Sequence, residues 1–282
     1  MKNIKHAGLA VAATIALAFS ATPALAATNA AAVASLPASV KSAGVITVGI
    51  DATYRPNEFK DAQGNVVGWE VDLFNGVASK LGVKAKYVVA TFDNIIPAIK
   101  GGKYDVGLSS FTDNKVREAQ VDFANYYNAG TQWASQAGKS VNPDSACGLI
   151  VAVQTGTTEV DDVKAKSADC VKAGKKAIKV LPYDTQDQAN AAVVLGRANA
   201  LSADSPVTED AVHQSKGKLQ LAGAIYGTAP YGIAVNKGSS LAKAISLALT
   251  AMYKDGSYTA VLNKWGVTAG AVKVFGINGA TA

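Results

Sequence analysis

The chain has 282 residues, is 49% hydrophobic and 17% charged, and carries a formal net charge of +6 at pH 7. Lysines and acidic residues alternate along most of it, and no basic block is interleaved with aromatic residues, so a nucleic-acid partner is not expected. After the N-terminal segment, no run approaches the roughly 18 apolar residues of a membrane helix.

The N-terminal segment has the three parts of a secretory signal peptide. Lys2 and Lys5 precede an apolar run from Ala7 to Phe19, and Ala24-Leu-Ala26 is a small-x-small cleavage sequence. That run is short for a bilayer, which disfavours the alternative of an uncleaved anchor. We expect cleavage of residues 1–26 after Ala26 and a periplasmic location. About 250 residues then remain, enough for one large or two modest domains, with a net charge of about +4.

Cysteine and histidine are scarce. Cys147 and Cys170 are the only cysteines, and in an oxidising compartment an even number suggests a disulfide, with two free buried thiols as the alternative. Of the two histidines, only His213 follows the signal peptide, and its polar surroundings indicate a surface position on a helix. We therefore expect no metal site, no cofactor and no histidine-based catalytic triad.

The first half of the mature chain alternates between apolar strands and amphipathic helices. Residues 27–43, rich in alanine, are interpreted as a flexible leader. Strands are predicted over 45–50, 87–90 and 104–108, and helices over 70–81 and around 95–99. Pro97 fits the second helix only in its first turn. This order predicts a parallel sheet with right-handed crossovers.

A second series of strands and helices follows residues 126–133. The composition changes there toward glycine and polar residues, and we place a domain crossing at this point. The loop "AGKSVNPDSACG" is rich in turn-forming residues. Beyond it, strands are predicted over 149–153, 178–181, 200–203 and 231–235. Helices are predicted from 159, over 186–197, within 211–222, from 241 to the turn at 255–256, and over 257–265.

Polar and aromatic residues follow three strands of the first half. In a parallel sheet these strand ends share one edge, where open α/β sheets bind ligands. Arg117 offers a planar set of donors suited to a carboxylate, although an arginine near a helix start is often only solvated. Tyr54 and Phe92 are either core residues or aromatic faces that hold a ligand side chain. The candidate residues on this edge are Asp51, Tyr54, Phe92, Ser109, Ser110, Thr112 and Arg117.

The second half supplies two further candidates. Thr157 and Thr158 lie in "QTGTT", between a strand and a helix whose N-terminus favours an anion. A phosphate loop motif is lacking, so a carboxylate fits better; a simple helix cap is the alternative. Asp204 ends a strand, where it can bind an ammonium group or cap a helix. Together these groups describe a zwitterion receptor, and no nucleophile motif is present.

The chain resembles the bacterial extracellular solute-binding proteins of family 3, the polar amino-acid receptors of ABC importers. The matching segments include "VGIDATYRPNEFKDAQGNVVGWEVDL", "FDNIIPAIKGGKYDVGLSSFTDNKVREAQVDFANYY", "VAVQTGTT", "LGRANALSAD", "YGIAVNKGSSL" and "DGSYTAVLNKWG". The resemblance implies an α/β, two-lobe periplasmic-binding-protein fold. Each lobe is a mainly parallel sheet flanked by helices, and two hinge strands join the lobes. The resemblance places lobe 1 at 44–129 and 227–275, lobe 2 at 130–226, and a tail at 276–282.

The resemblance also implies roles for the candidate residues. Arg117 would grip the α-carboxylate with Thr112, Thr157 and Thr158, and Asp204 would take the α-ammonium with Ser110 and Thr112. Tyr54 and Phe92 would hold the side chain, and Asp51 would select its polarity. The chain departs from the family at Asn57-Glu58, where several members have an aromatic residue. The cysteine pair is not general to the family.

These observations predict a periplasmic, non-catalytic receptor. It would bind a polar L-amino acid between the lobes, close on it, and deliver it to an inner-membrane ABC permease. We expect a monomer. Asp51, Tyr54 and Phe92 favour a polar ligand side chain, a cationic one included, such as that of arginine, lysine, histidine or glutamine. The alternative is a secreted cyclohexadienyl dehydratase on the same scaffold, with Asp51 as the nearest candidate for a general acid.

Overall fold

The computed structural model describes residues 28–280. The predicted signal peptide, residues 1–26, lies outside the described residues. Over 28–280, none of the helices combines the length and the apolar character that crossing a membrane requires.

Residues 28–280 form eleven strands and ten α-helices. The strands are β1 Val45–Ile50, β2 Thr53–Tyr54, β3 Glu58–Lys60, β4 Val66–Val67, β5 Lys84–Val89, β6 Val106–Gly107, β7 Val121–Gln136, β8 Ile150–Gln154, β9 Lys179–Tyr183, β10 Ala200–Asp204 and β11 Leu219–Asn236. The helices are α1 Ala30–Ser35, α2 Ala38–Ala43, α3 Trp69–Leu81, α4 Phe92–Lys100, α5 Lys115–Glu118, α6 Thr158–Lys172, α7 Gln186–Val194, α8 Ser205–Gln214, α9 Leu241–Lys254 and α10 Ser257–Trp265.

Eight strands form one sheet in the order β5-β1-β6-β11-β7-β10-β8-β9. Strand β1 pairs in parallel with β5 and β6, and β8 pairs in parallel with β9 and β10. In the middle, β11 and β7 are antiparallel to each other and to their outer neighbours. The result is two mainly parallel α/β lobes joined by two strands, so the predicted fold class is confirmed.

The strands β7 and β11 pass through both lobes. They pair from Val121 opposite Asn236 to Gln136 opposite Leu219, and the register shifts between Ala222 and Ala229. The lobe crossings predicted at 129/130 and 226/227 fall inside these two strands, and the second falls inside the irregular stretch. The exact lobe boundaries remain predictions.

Helix α3 shows how the sequence builds lobe 1. Leu73, Phe74, Val77 and Leu81 recur at helical spacing and are fully buried. Gly82 ends the helix at φ 69°, a conformation that favours glycine. The buried face packs into a core that includes α9 and α10.

Residues 27–43 were expected to be a flexible leader. This prediction is wrong for residues 30–43, because they form α1 and α2. Asn29 caps α1 by accepting a hydrogen bond from Ala32 N at 2.9 Å, and the alanine run has high helix propensity. Ala32, Leu36 and Val40 are buried in the lobe 1 core. Although this segment is rich in alanine, its buried apolar side chains form a face that packs against lobe 1.

Two other helices differ from the sequence interpretation. Helix α4 begins at Phe92 after the N-cap Thr91, so Pro97 lies in its second turn, not its first. Helix α8 covers 205–214 instead of lying within 211–222, because Pro206 favours the first turn of a helix. The residues from Leu219 onward belong to β11. His213 is exposed in the last turn of α8, which agrees with its predicted surface position.

A disulfide joins Cys147 and Cys170, with the two Cα atoms 5.6 Å apart. Cys170 lies near the end of α6, and Cys147 lies in the loop before β8. The bond therefore ties that loop to the helix, and the predicted pairing is confirmed.

Residues 278–280 of the predicted C-terminal tail pack against lobe 1. Asn278 Nδ2 donates to Asp122 Oδ1 at 2.9 Å, and the backbone N–H of Gly279 donates to Asp113 Oδ2 at 2.7 Å. The Ala280 N–H donates to Glu118 Oε1 at 3.1 Å. These contacts place the tail behind the loop that carries Arg117.

Candidate functional site

A narrow cavity lies between the lobes, next to the strand ends. Eight of the ten predicted ligand-binding residues line it, together with three that were not predicted: Glu159, Gln186 and Ala203. The lining from lobe 1 is Tyr54, Phe92, Ser110, Thr112 and Arg117, and the lining from lobe 2 is Thr157, Thr158, Glu159, Gln186, Ala203 and Asp204.

Arg117 is buried in the short helix α5, whose first turn is capped by Asn114 Oδ1 accepting from Arg117 N at 2.9 Å. Its Nη1 donates to Thr112 O at 2.8 Å, and its Nη2 donates to Gly156 O of lobe 2 at 3.1 Å. No carboxylate of the described residues forms an ion pair with it. Since a guanidinium has five N–H donors, others remain for a ligand carboxylate.

The turn before α6 is the part of lobe 2 that contacts Arg117. Thr157 Oγ1 donates to Gln154 O at 2.9 Å and does not cap the helix. Thr158 Oγ1 lies 3.4 Å from Thr112 Oγ1 of the other lobe. The N-terminus of this 15-residue helix therefore has no cap from the Thr157 side chain, and Thr157 and Thr158 at this end line the cavity that Arg117 also lines.

Two carboxylates border the same cavity. Asp204 is the N-cap residue of α8, yet its side chain makes no capping hydrogen bond. Desolvation raises the pKa of Asp204 well above its usual range; neighbouring Glu159 raises it further, and Arg117 opposes this. Glu159 is 3% exposed, and burial raises its pKa as well. With Arg117 they give the lining a formal charge of −1.

Tyr54 and Phe92 are both buried and both line the cavity. The rings of Tyr54 and Phe92 meet edge to face, with centroids 5.9 Å apart and an interplanar angle of 73°. Phe92 stacks on Phe111 at 4.5 Å, and the Arg117 guanidinium carbon lies 5.3 Å from the Phe92 centroid. The two rings form one wall of the cavity, and Phe92 also supports Arg117.

Asp51 and Ser109 are outside the cavity lining. Asp51 Oδ2 accepts from Phe92 N at 3.1 Å and from Gln154 Nε2 at 2.8 Å, and its Oδ1 accepts from Thr53 Oγ1 at 2.7 Å. Ser109 Oγ accepts from Asp51 N and donates to Glu58 Oε1. Asp51 thus lies behind the aromatic wall and contacts the other lobe directly.

Four hydrogen bonds connect the lobes around the cavity. Besides those of Arg117 with Gly156, Asp51 with Gln154, and Thr112 with Thr158, Gln186 N donates to Thr53 Oγ1 at 3.3 Å. The lobes are therefore in contact on both sides of the cavity, which corresponds to a closed arrangement.

The residues missed by sequence reasoning have weak local signals. Glu159 directly follows Thr158, and an acid in the first turn of a helix is usually explained by the helix dipole alone. Gln186 is the first residue of α7, and as an uncharged side chain it gives no charge signal of its own. Their cavity positions depend on how the lobes meet, which spacing along the chain does not encode.

Comparisons with known proteins agree with this geometry. The model of the bacterial extracellular solute-binding proteins, family 3, matches residues 46–268. The chain is 38% identical over 240 residues to the arginine-binding protein ArgT of Corynebacterium glutamicum, covering 84% of this chain and 79% of that protein. It is 35% identical to the L-arginine-binding protein of Pseudomonas aeruginosa, covering 86% and 95%.

A solved structure gives the same result. An ancestral arginine-binding protein bound to arginine superposes with a TM-score of 0.73 at 36% identity, covering 79% of this chain and 98% of that chain. The sequence relatives and this structural neighbour are all binding proteins by name.

Proposed function

Because the chain belongs to the bacterial extracellular solute-binding proteins of family 3, we propose that it binds a cationic L-amino acid, with L-arginine as the preferred ligand. Binding takes place in the cavity between the lobes, and the closed receptor delivers the ligand to an ABC permease. As a secreted protein, it acts outside the cytoplasm after cleavage at Ala26.

The observation that carries the proposal is the excess of carboxylate in the cavity. Arg117 pairs with the α-carboxylate, and Asp204 with the α-ammonium, so a neutral amino acid would leave Glu159 without a cationic partner. Among the described residues, its carboxylate accepts only long hydrogen bonds of 3.4 Å from the hydroxyls of Thr131 and Thr158. A buried carboxylate without a cationic partner is costly, whereas a guanidinium beside Glu159 balances the charge of the lining. Asp51 adds negative charge just behind the aromatic wall.

The names of the relatives support the same ligand class. Two curated relatives and the superposed ancestral protein are named as arginine-binding. Phe92 and Tyr54 offer aromatic surface to the alkyl and guanidinium parts of such a side chain.

The dehydratase alternative has less support. A general acid must reach the reacting group, yet Asp51 does not line the cavity that holds Arg117 and Asp204; it borders a neighbouring cleft, and its carboxylate accepts three hydrogen bonds. We propose a non-catalytic role. Turnover of prephenate or arogenate by the purified protein would overturn it.

The direct test of ligand class is a thermal-shift screen of the twenty amino acids, followed by calorimetric titration of L-arginine and its neutral near-isostere L-citrulline. We expect L-arginine to give the largest shift. Glu159→Gln should reduce the preference for L-arginine over L-citrulline by about tenfold or more. Asp161→Asn is the matched control, because it removes the same charge from the exposed face of the same helix. Unchanged preference in Glu159→Gln would contradict the role of Glu159.

A further inference from the structure

Residues 277–280 form a strap along β7 in lobe 1. Asn278 N donates to Phe123 O at 3.0 Å, and the Asn278 side chain accepts from Phe123 N at 2.8 Å. Ile277 forms an antiparallel bridge with Ala124 between these contacts. The strap therefore follows the edge of β7 that does not face β11, in the way that an additional strand would.

The end of the strap holds the turn that carries Arg117. Gly279 N donates to Asp113 Oδ2 at 2.7 Å, and Ala280 N donates to Glu118 Oε1 at 3.1 Å. Asp113 lies four residues before Arg117, and Glu118 directly follows it. The strap thus fixes both ends of the segment from which the Arg117 side chain reaches the cavity.

Helix α5 is too short to hold Arg117 in place by itself. It has four residues, about one turn, and the first turn of a helix fixes several backbone angles for a single hydrogen bond. Asn114 caps this turn, and Lys237 Nζ donates to the Glu118 carbonyl at 2.6 Å. The strap adds contacts to the acidic side chains, and it lies beyond the family match, which ends at residue 268.

Asp113 depends on the strap because its carboxyl group is buried, with an exposure of 2%. Burial raises the pKa of Asp113 to about 6; the hydrogen bonds from Asn125 and Gly279 oppose the rise, and neighbouring Glu118 adds to it. If the strap moved away, Asp113 and Glu118 would each lose a donor. Since buried carboxylates without donors are costly, the turn would then shift toward water.

We propose that the strap positions the Arg117 guanidinium for the ligand's α-carboxylate, with Gly279 and Ala280 as positioning residues. They act through Asp113 and Glu118 and are not part of the cavity lining. The inference rests on the proposed function, since it requires an amino-acid ligand. A loosened strap leaves the cavity in place and lets Arg117 shift, so it weakens binding of the carboxylate more than binding of the rest of the ligand.

Two neighbouring glycines provide a matched pair of variants. A Cβ atom at Gly279 would lie 2.7 Å from Asn125 Oδ1. Asn125 is buried and its Nδ2 donates to Asp113 Oδ2 at 2.8 Å, so the added methyl group displaces either the strap or the amide that holds Asp113. A Cβ atom at Gly276, just before the strap, would lie 3.9 Å from Asn125 Oδ1, an ordinary contact. Neither glycine has a φ in the left-handed region, so backbone strain does not distinguish the two variants.

The test is calorimetric titration of L-arginine and L-argininamide into wild type, Gly279→Ala and Gly276→Ala. In L-argininamide a neutral amide replaces the carboxylate that Arg117 binds. We expect Gly279→Ala to weaken L-arginine binding by about fivefold or more and L-argininamide binding by less than about twofold. Gly276→Ala should change neither affinity by more than about twofold. Equal loss for both ligands in Gly279→Ala, or no loss for L-arginine, would overturn the proposal.

Hydrogen exchange of the unliganded proteins, followed by mass spectrometry, tests the strap without a ligand. The amides of α5 should exchange faster in Gly279→Ala than in wild type, and those of α6 in lobe 2 should not change. The same exchange at α5 in both proteins, or faster exchange at α5 and α6 alike, would also overturn the proposal.

A second variant covers the case in which Gly279→Ala does not fold. Asn278→Gly removes the side-chain hydrogen bonds to Phe123 and Asp122 at a residue with φ 55°, which glycine adopts readily, and it is judged by the same criteria. If wild type fails to bind L-arginine, the ligand assignment fails separately. The titrations are then run with the amino acid that the screen returns and with its amide.

Discussion

Gly156 of lobe 2 and Asp93 of lobe 1 approach so closely that a Cβ atom at position 156 would lie 2.9 Å from Asp93 Cβ and 3.2 Å from its Cα. The Gly156 carbonyl accepts from Arg117 Nη2 in the same place. Backbone of one lobe thus touches the first turn of α4 in the other, and a side chain at 156 would hold the lobes apart.

Gly156→Ala should therefore weaken ligand binding by about tenfold or more, because closure places the new methyl group against Asp93. Gly156 also has φ 82°, which alone makes alanine unfavourable. Gly174→Ala separates the two effects, since Gly174 has φ 70° and no neighbour within 4 Å of an added Cβ. Both variants should lose stability, and only Gly156→Ala should lose affinity in calorimetry. Equal affinities would show that the contact does not limit closure.

Ligand affinity should fall as the pH is lowered. Desolvation raises the pKa of both Asp204 and Glu159, and a cationic ligand binds their ionised forms. Protons therefore compete with the ligand once the pH drops through these raised pKa values. The decline should begin at a higher pH than the ordinary carboxylate pKa of about 4 would give.

Titrations of L-arginine at pH 8, 7, 6 and 5 measure this decline. Repeating them in buffers with different heats of ionisation shows whether protons are released on binding. Glu159→Gln should flatten the profile, because one of the two titrating groups is lost. A constant affinity from pH 8 to pH 5 would contradict the account.

The N-terminal helices should contribute to stability. Leu36 is 6% exposed in the lobe 1 core, so Leu36→Ala should lower the free energy of unfolding by about 2–3 kcal/mol. Ser39→Ala in the exposed face of α2 is the control. Denaturant unfolding monitored by circular dichroism gives both values. The same free energy of unfolding in the two variants would mean that residues 30–43 act as a flexible leader after all.

Most residues of the site could be predicted from the sequence, because they lie at or after the ends of predicted strands. Arg117 and Thr157 come after apolar strands and Asp204 ends one, and parallel strands bring such positions to one edge of a sheet. The resemblance to family 3 added the pairing of the two lobes. These two sources together placed eight of the ten candidates in the cavity lining.

The remaining features depend on interactions that spacing does not encode. Ser109 and Ser110 are adjacent, and only Ser110 reaches the cavity, because its backbone turns to positive φ where Glu70 binds it. Asp51 turns toward Phe92 N and Gln154 instead of the cavity. Glu159 reaches the cavity only because the lobes meet at the start of α6. The leader folds because Leu36 and Val40 find an apolar surface on lobe 1.

Calorimetric titration of L-arginine into wild type and Arg117→Ala tests most directly whether Arg117 and Asp204 hold the zwitterion between the lobes. The substitution removes a desolvated ion pair with its hydrogen bonds, and should cost about 3–5 kcal/mol of binding free energy. That corresponds to a loss of at least about a hundredfold in affinity. Circular dichroism should show that the fold is retained. Affinity within about threefold of wild type in a folded Arg117→Ala variant would contradict the account.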